Sequence, residues 1–191
     1  MTYMAKEARK YYTESENRIA AVLWEHLIAG DFREMTVTQI CREAGVSRDT
    51  FYRHFSNPEQ ALAACTARYH LNFIRRNVDE RESFPEFLAN SIHEVTRDNI
   101  LLKYMKPLLL SGIVSLDEQL VSTMEKEMLR LGYFAPVLNS ARLEEQEKYL
   151  LTRAYCTEYL SVMKYWTQHP ETPEASIYRS LLLIYNRLIR P

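Results

Sequence analysis

Apolar residues recur every three to four positions over most of the chain, the period of an α-helix with one buried face. From Ser15 onward, Ile19, Val22, Leu23, Leu27 and Ile28 line one such face, and Gly30 supplies a helix stop. Thr36 with Gln39 three residues on has the pattern of a capping box, flanked by Met35 and Ile40 as a hydrophobic staple. The helix it opens carries Val37, Ile40 and Ala44 inward and ends at Gly45. Ser47 is the N-cap of a further short helix, Arg48 to Phe55. Two short helices parted by a turn containing glycine are the pattern of a helix-turn-helix. Asn57 as cap and Pro58 at the first helical position predict the next helix, running to about Asn77.

The remainder also reads as helical, so the fold class is all-α. A helix is expected from Ser83 or Phe84 with Pro85 early, then a shorter one over 99–105 that Pro107 interrupts. An amphipathic helix over 116–131 ends at Gly132, and 133–140 is a loop. Residues 142–169 hold neither proline nor glycine and predict a helix roughly 40 Å long at about 1.5 Å per residue. Thr172 caps the last helix, Pro173 stands at its first position, and it reaches about Arg190. There Ile177, Tyr178, Leu181, Leu182, Leu183, Ile184, Leu188 and Ile189 cover most of the circumference. So apolar a helix needs burial on more than one side. A second copy of the chain accounts for that, with an interface expected at Tyr165, Trp166, Ile177, Tyr178, Leu181, Leu182, Ile184, Tyr185 and Leu188.

Composition narrows the function. Over 191 residues, 47% are hydrophobic and 26% charged, which excludes general disorder. Four glycines are too few for a turn-rich β fold, and no glycine-rich phosphate loop is present. The formal net charge is −1, so any nucleic-acid surface must be local. Cys41, Cys65 and Cys156 lie far apart without a CxxC, which argues against a disulfide scaffold or zinc site and for a reducing, cytoplasmic setting. Cys65 and Cys156 read as small buried hydrophobes. No apolar run approaches the roughly 18 residues of a membrane span, and Met1 to Glu16 is too polar for a secretion signal, so no membrane association is expected. His26, His70, His93 and His169 show no ligand spacing, so no metal is expected. With no HExxH, GxSxG or supported carboxylate pair, neither enzymatic chemistry nor a cofactor is expected.

The stretch from Thr36 to Leu62 resembles the DNA-binding domain of the TetR family of bacterial transcriptional regulators. The likeness is carried by Ala44-Gly45-Val46-Ser47, then Thr50-Phe51-Tyr52-Arg53-His54-Phe55, then Glu59 and Leu62. With the first helix it covers about residues 15–65. The resemblance implies an N-terminal three-helix DNA-binding domain, assigned here to residues 1–56 with the arm before it. It also implies a helical ligand-binding and dimerisation domain over 57–191 that pairs through its last two helices.

In such a domain the first turn of the recognition helix meets base edges. Arg48 can donate to guanine O6 and N7; Asp49 can accept from cytosine N4 or serve as a helix-dipole partner. Tyr52 shares their face. Ser47, Thr50, Arg53 and His54 suit backbone contacts, and Thr36 and Thr38 offer hydroxyls and helix-start N–H groups to a phosphate. Phe51 and Phe55 fall on the opposite, core face. Lys6, Arg9 and Lys10 form either a phosphate-seeking arm or a solvated tail. Family members commonly carry a phosphate-binding lysine where this chain has Pro58, which shifts weight to Arg53 and the arm and implies modest affinity or marked salt sensitivity.

Tyr69, Phe73, Tyr104, Met105, Met128, Tyr155, Tyr159 and Met163 suit either the lining of an apolar small-molecule pocket or plain core packing. The expected function is a homodimeric repressor on a near-palindromic double-stranded operator, released by a small-molecule effector. The alternative is a TetR-like regulator that acts through a protein partner without such a ligand. A helical enzyme is a distant third.

Overall fold

Side-chain caps set the helix starts in this protein, seen in a computed structural model that describes residues 13–77, 83–134 and 143–188, without the side chains of 68–77 and of Asp98. Helix α1 (Glu14–Ala29) opens on a capping box: Thr13 Oγ1 accepts from Glu16 N, and the Glu16 carboxylate reaches back to Thr13 N at 3.0 Å. After a 3₁₀ turn (Phe32–Glu34), α2 (Val37–Ala44) opens on the expected Thr36–Gln39 box. Gly45 closes α2 at φ 61°, a left-handed conformation that glycine adopts without a Cβ penalty. Helix α3 (Arg48–His54) has Ser47 as N-cap, and α4 (Pro58–Asn77) starts under the Asn57 carboxamide, whose Oδ1 accepts from Gln60 N at 2.8 Å. The arm residues Lys6, Arg9 and Lys10 lie outside the described residues.

Helix α5 (Phe84–Thr96) starts at a Ser83–Glu86 capping box and leads through a 3₁₀ turn (Arg97–Asn99) to a π-helical turn, Leu101–Met105. Helix α6 (Lys106–Leu109) follows at once and contains Pro107. The interruption expected at this proline is therefore a change of winding: Pro107 has no N–H for the turn before it, and the wider π turn accommodates the missing bond. Helices α7 (Val114–Leu131), α8 (Glu145–Gln168) and α9 (Glu174–Leu188) complete the chain. Helix α8 starts at a Glu144–Glu147 box, three residues after the expected Arg142. Thr172 does not cap α9: its carbonyl takes the Trp166 indole N–H at 2.9 Å, and Pro173 O accepts the first helical N–H groups. No strand occurs among the described residues, and the fold is all-α.

By packing, the chain falls into two units. One takes the residues up to His70 together with Ser111–Leu120; the other takes Leu71–Leu110 and the chain from Val121. In the first, α1 packs on α2 and α3 around Ile19, Leu23, Phe32, Ile40, Phe51 and Leu62. Arg33 adds a long-range tie, its Nη2 donating to Ser111 O at 3.0 Å and Gly112 O at 3.1 Å. Gly112 has φ 68°, and a Cβ there would stand 3.2 Å from that nitrogen. In the second unit α9 packs on α8 and α5, and α6 packs on α8. Its centre is aromatic: Phe84 stacks on Tyr185 at 4.3 Å between ring centroids, and Phe134 and Tyr155 meet the same ring edgewise within 5.5 Å.

Candidate nucleic-acid interface

Seven residues do not hold a helix by themselves in water, so α3 depends on its cap and its packing. Ser47 Oγ accepts from Thr50 N at 3.0 Å and lies 2.9 Å from Thr50 Oγ1. Phe51 (0% exposed) and Phe55 anchor the inner face, with their rings 5.7 Å apart. The outer face then presents Arg48, Asp49, Tyr52 (48% exposed) and Arg53 to solvent. The Arg48 guanidinium carbon lies 5.9 Å from the Tyr52 ring centre, as two residues one turn apart should. A large ring left half in water beside an arginine is a group available to a partner. Thr36 and Thr38 are also exposed, at the start of α2. The Thr36 hydroxyl is occupied by Gln39, to which it donates at 2.7 Å, whereas that helix start retains free N–H groups for an anion.

His54 faces inward. Its Nδ1 lies 3.8 Å from the Glu16 carboxylate of α1, which is itself buried, so one ring nitrogen serves the domain's own packing. A second histidine, His26, ties the helix-turn-helix to its support. Its Nδ1 meets Asp31 Oδ1 at 2.8 Å and its Nε2 meets Glu43 Oε2 of α2 at 2.8 Å. Carboxylates only accept, so the arrangement is satisfied in full by the doubly protonated ring. The Glu43 hydrogen bond, with Asp31 adding to it against some burial, holds His26 above the usual histidine value; His26 in turn holds Glu43 below the usual carboxylate range. The residue pattern alone did not assign His26 this role, because its partners lie five and 17 positions away.

The residues expected to line a pocket divide. Tyr104, Met128, Tyr155 and Met163 are buried in the second unit, Met105 and Tyr159 are half-buried there, and the side chains of Tyr69 and Phe73 lie outside the described residues. Phe84 and Phe134, which pack against the Tyr155 ring, and the buried Glu125, which meets Arg153, do not follow from the residue pattern: Glu125 sits in a run of alternating charges, and the two rings lie far from Tyr155 in sequence. Of the residues assigned to a subunit interface, Trp166, Ile177, Leu181 and Tyr185 are instead buried inside the protomer. Tyr185 takes its place in the aromatic centre, where its hydroxyl donates to Tyr133 O at 3.3 Å. That side of α9 is covered by α8 and α5 of the same chain, so the breadth of its apolar surface partly reflects internal burial. Tyr165 (51% exposed) and Leu183 stay on the surface, and Tyr178, Leu182, Ile184 and Leu188 are half-exposed.

Among the described residues no His, Cys, Asp and Glu side chains group to hold a metal ion, and no helix is long and apolar enough to cross a membrane.

Residues 19–65 match the family model for bacterial regulatory proteins of the tetR family. A crystal structure assigned to the tetR family of transcription regulators, from Shewanella sp. PV-4, superposes with a TM-score of 0.60 at 19% identity, over 92% of this chain and 98% of that one. The fatty acid degradation regulator FadR of Bacillus halodurans superposes with a TM-score of 0.52 at 16% identity, over 94% of this chain and 97% of its own. No curated protein matches the sequence.

Proposed function

We propose, on the premise that residues 19–65 form a DNA-binding domain of the tetR family of bacterial regulators, that this protein is a homodimeric repressor released from its operator by a small molecule. The observation that carries the reading is the outer face of α3. There Arg48, Asp49, Tyr52 and Arg53 stand in solvent on a helix fixed by Ser47, Phe51 and Phe55. Arg48 and Asp49 occupy the turn that enters the major groove, where a guanidinium reads guanine and a carboxylate reads the cytosine amino group. Ser47, Thr50 and Arg53, with Thr36 and Thr38 at the start of α2, flank that turn and hold the phosphate backbone on either side. His54, turned to Glu16, contributes through its remaining ring nitrogen.

The surface side of the last two helices supports dimerisation. Tyr165, Tyr178, Leu182, Leu183, Ile184 and Leu188 leave apolar area on α8 and α9 that a second copy would cover. Two recognition helices related by a two-fold axis call for two half-sites about one helical turn apart. An effector in the second unit lowers operator affinity by as much as it prefers the conformation that does not bind DNA.

Selection from random duplex DNA, followed by a salt titration of the enriched sequence, tests the reading. Enrichment of an inverted repeat supports it. A pool that stays unselected at low salt would overturn it, with Pro58 and Asp49 then marking a lost phosphate grip.

A further inference from the structure

Arg48 opens α3 with its side chain in solvent, and among the described residues no carboxylate pairs with it. A free arginine samples many rotamers, and ordering one costs side-chain entropy. Reading guanine through O6 and N7 requires two guanidinium N–H groups aligned with the base edge. An arginine that is already restrained meets that demand with less loss. The Tyr52 ring supplies a restraint. Its centre lies 5.9 Å from the Arg48 guanidinium carbon, within the range of a cation–π contact. Side chains on a helix lean towards its N-terminus, so a residue four positions on covers the turn before it. Tyr52 therefore stands behind Arg48 and closes the rotamers that would lay the arginine back along α3. The ring is held in turn from below. It meets Phe51 edgewise, with 5.7 Å between centroids and the planes at 89°, and Phe51 is packed in the core against Phe55. A continuous series of contacts thus leads from the core of the domain to the guanidinium.

We propose that Tyr52 is a positioning residue for base recognition: its ring fixes the Arg48 guanidinium and so sharpens the preference at the base pair that Arg48 reads. The role belongs to the face of the ring and not to the hydroxyl. A phenylalanine can fill it, because the π face that attracts the cation is retained; a leucine cannot, although it is also large and apolar. The consequence for base preference rests on the DNA-binding reading above; the contact between ring and guanidinium does not.

The test has two arms. Without DNA, NMR of the full chain follows the Arg48 side-chain protons, which a ring in contact shifts upfield. The shift is expected in the wild type and in Tyr52→Phe, and should vanish in Tyr52→Leu. Arg48 protons at their ordinary positions in the wild type would overturn the proposal, and this measurement decides the matter if Tyr52→Leu does not fold. With DNA, the duplex enriched from a random pool is compared with duplexes changed one base pair at a time. The position that Arg48 reads is the one whose preference Arg48→Ala erases. Tyr52→Leu should lower the preference there by at least about fivefold, and Tyr52→Phe should retain it. On the enriched duplex, the affinity lost on Tyr52→Leu should be at least about threefold smaller when Arg48 is already alanine. Unchanged preference in Tyr52→Leu, equal losses in the phenylalanine and leucine variants, or additive losses in the double variant would each overturn the positioning role. If no duplex is enriched, the DNA-binding reading fails whatever the proton shifts show. If one is enriched and its base preference ignores the ring, the positioning role alone fails.

Discussion

Replacing Ser47 by alanine removes one atom, Oγ, and with it the bond from Thr50 N that starts the recognition helix at 3.0 Å. Loss of an N-cap costs about 0.5–2 kcal/mol. The lower part of that range applies here, because Ser47 is exposed and water can replace the lost acceptor, while Phe51 and Phe55 still hold the inner face. A cost of about 0.7 kcal/mol is about threefold in an equilibrium constant. The turn that frays is the one carrying Arg48 and Asp49, so the cost reappears when DNA forces that turn to order. In the proposed dimer two recognition helices share one operator, which makes the expected loss of affinity about tenfold, with a small fall in Tm. Ser47→Gly is the control, since glycine at an N-cap costs only a few tenths of a kcal/mol by about the same comparison. Binding isotherms on a duplex enriched from a random pool, together with thermal unfolding, give both numbers. If the alanine and glycine variants bound alike and melted alike, the cap would not be what orders the reading turn.

Arg48→Ala and Tyr52→Ala should erase discrimination between the enriched duplex and a scrambled one while leaving thermal unfolding unchanged, since both side chains stand outside the core; competition binding checks this. The His26 ties give the first unit a pH profile. The folded pKa of His26 lies above its ordinary 6.5, so this contribution is complete below 6.5 and is lost as pH rises through the folded value. Glu43 lies below its ordinary 4.5, so its contribution is complete above 4.5 and is lost as pH falls through the folded value. Stability should therefore form a plateau between those limits and decline on the alkaline side, and His26→Gln should flatten the decline in a series of melts from pH 5 to 9. Gly112→Ala should cost about 1 kcal/mol or more, from a left-handed φ and a Cβ pressed on the Arg33 guanidinium, and Arg33→Ala should relieve part of that cost in the double variant. Cys156, with its thiol buried and pushed up to about 12, should not react with a thiol reagent until the protein unfolds.

Where the sequence speaks through local rules, it is legible. The Thr36–Gln39 box, the Ser47 cap, Pro58 at the head of α4 and the division of α3 into a phenylalanine face and an arginine–tyrosine face all follow from spacing within one helical turn, and the structure has them. The start of α1 was equally legible in Thr13 and Glu16, although the periodicity directed attention to Ser15. Features that depend on distant partners were not. Nothing near Trp166 or Tyr185 in the chain tells whether its apolar surface meets its own protomer or another; Phe84, a hundred residues from Tyr185, decides that. The π turn before Pro107 is likewise a choice among several ways to absorb one missing N–H, and composition does not select among them.

The tie from Arg33 to Ser111 and Gly112 bears on how freely this protein can be recombined. The unit that carries the recognition helix is assembled from two separate stretches of chain, one ending at His70 and one spanning Ser111–Leu120. A chimaera joined at a single splice point, with the reading head of one regulator on the sensor of another, inherits only the first stretch from its parent and must find a match for Arg33 in a foreign loop. Exchange between relatives would then be limited by the fit of that one guanidinium to two borrowed carbonyls, and a graft that carried the 111–120 segment along with the head would be the one that keeps its seat.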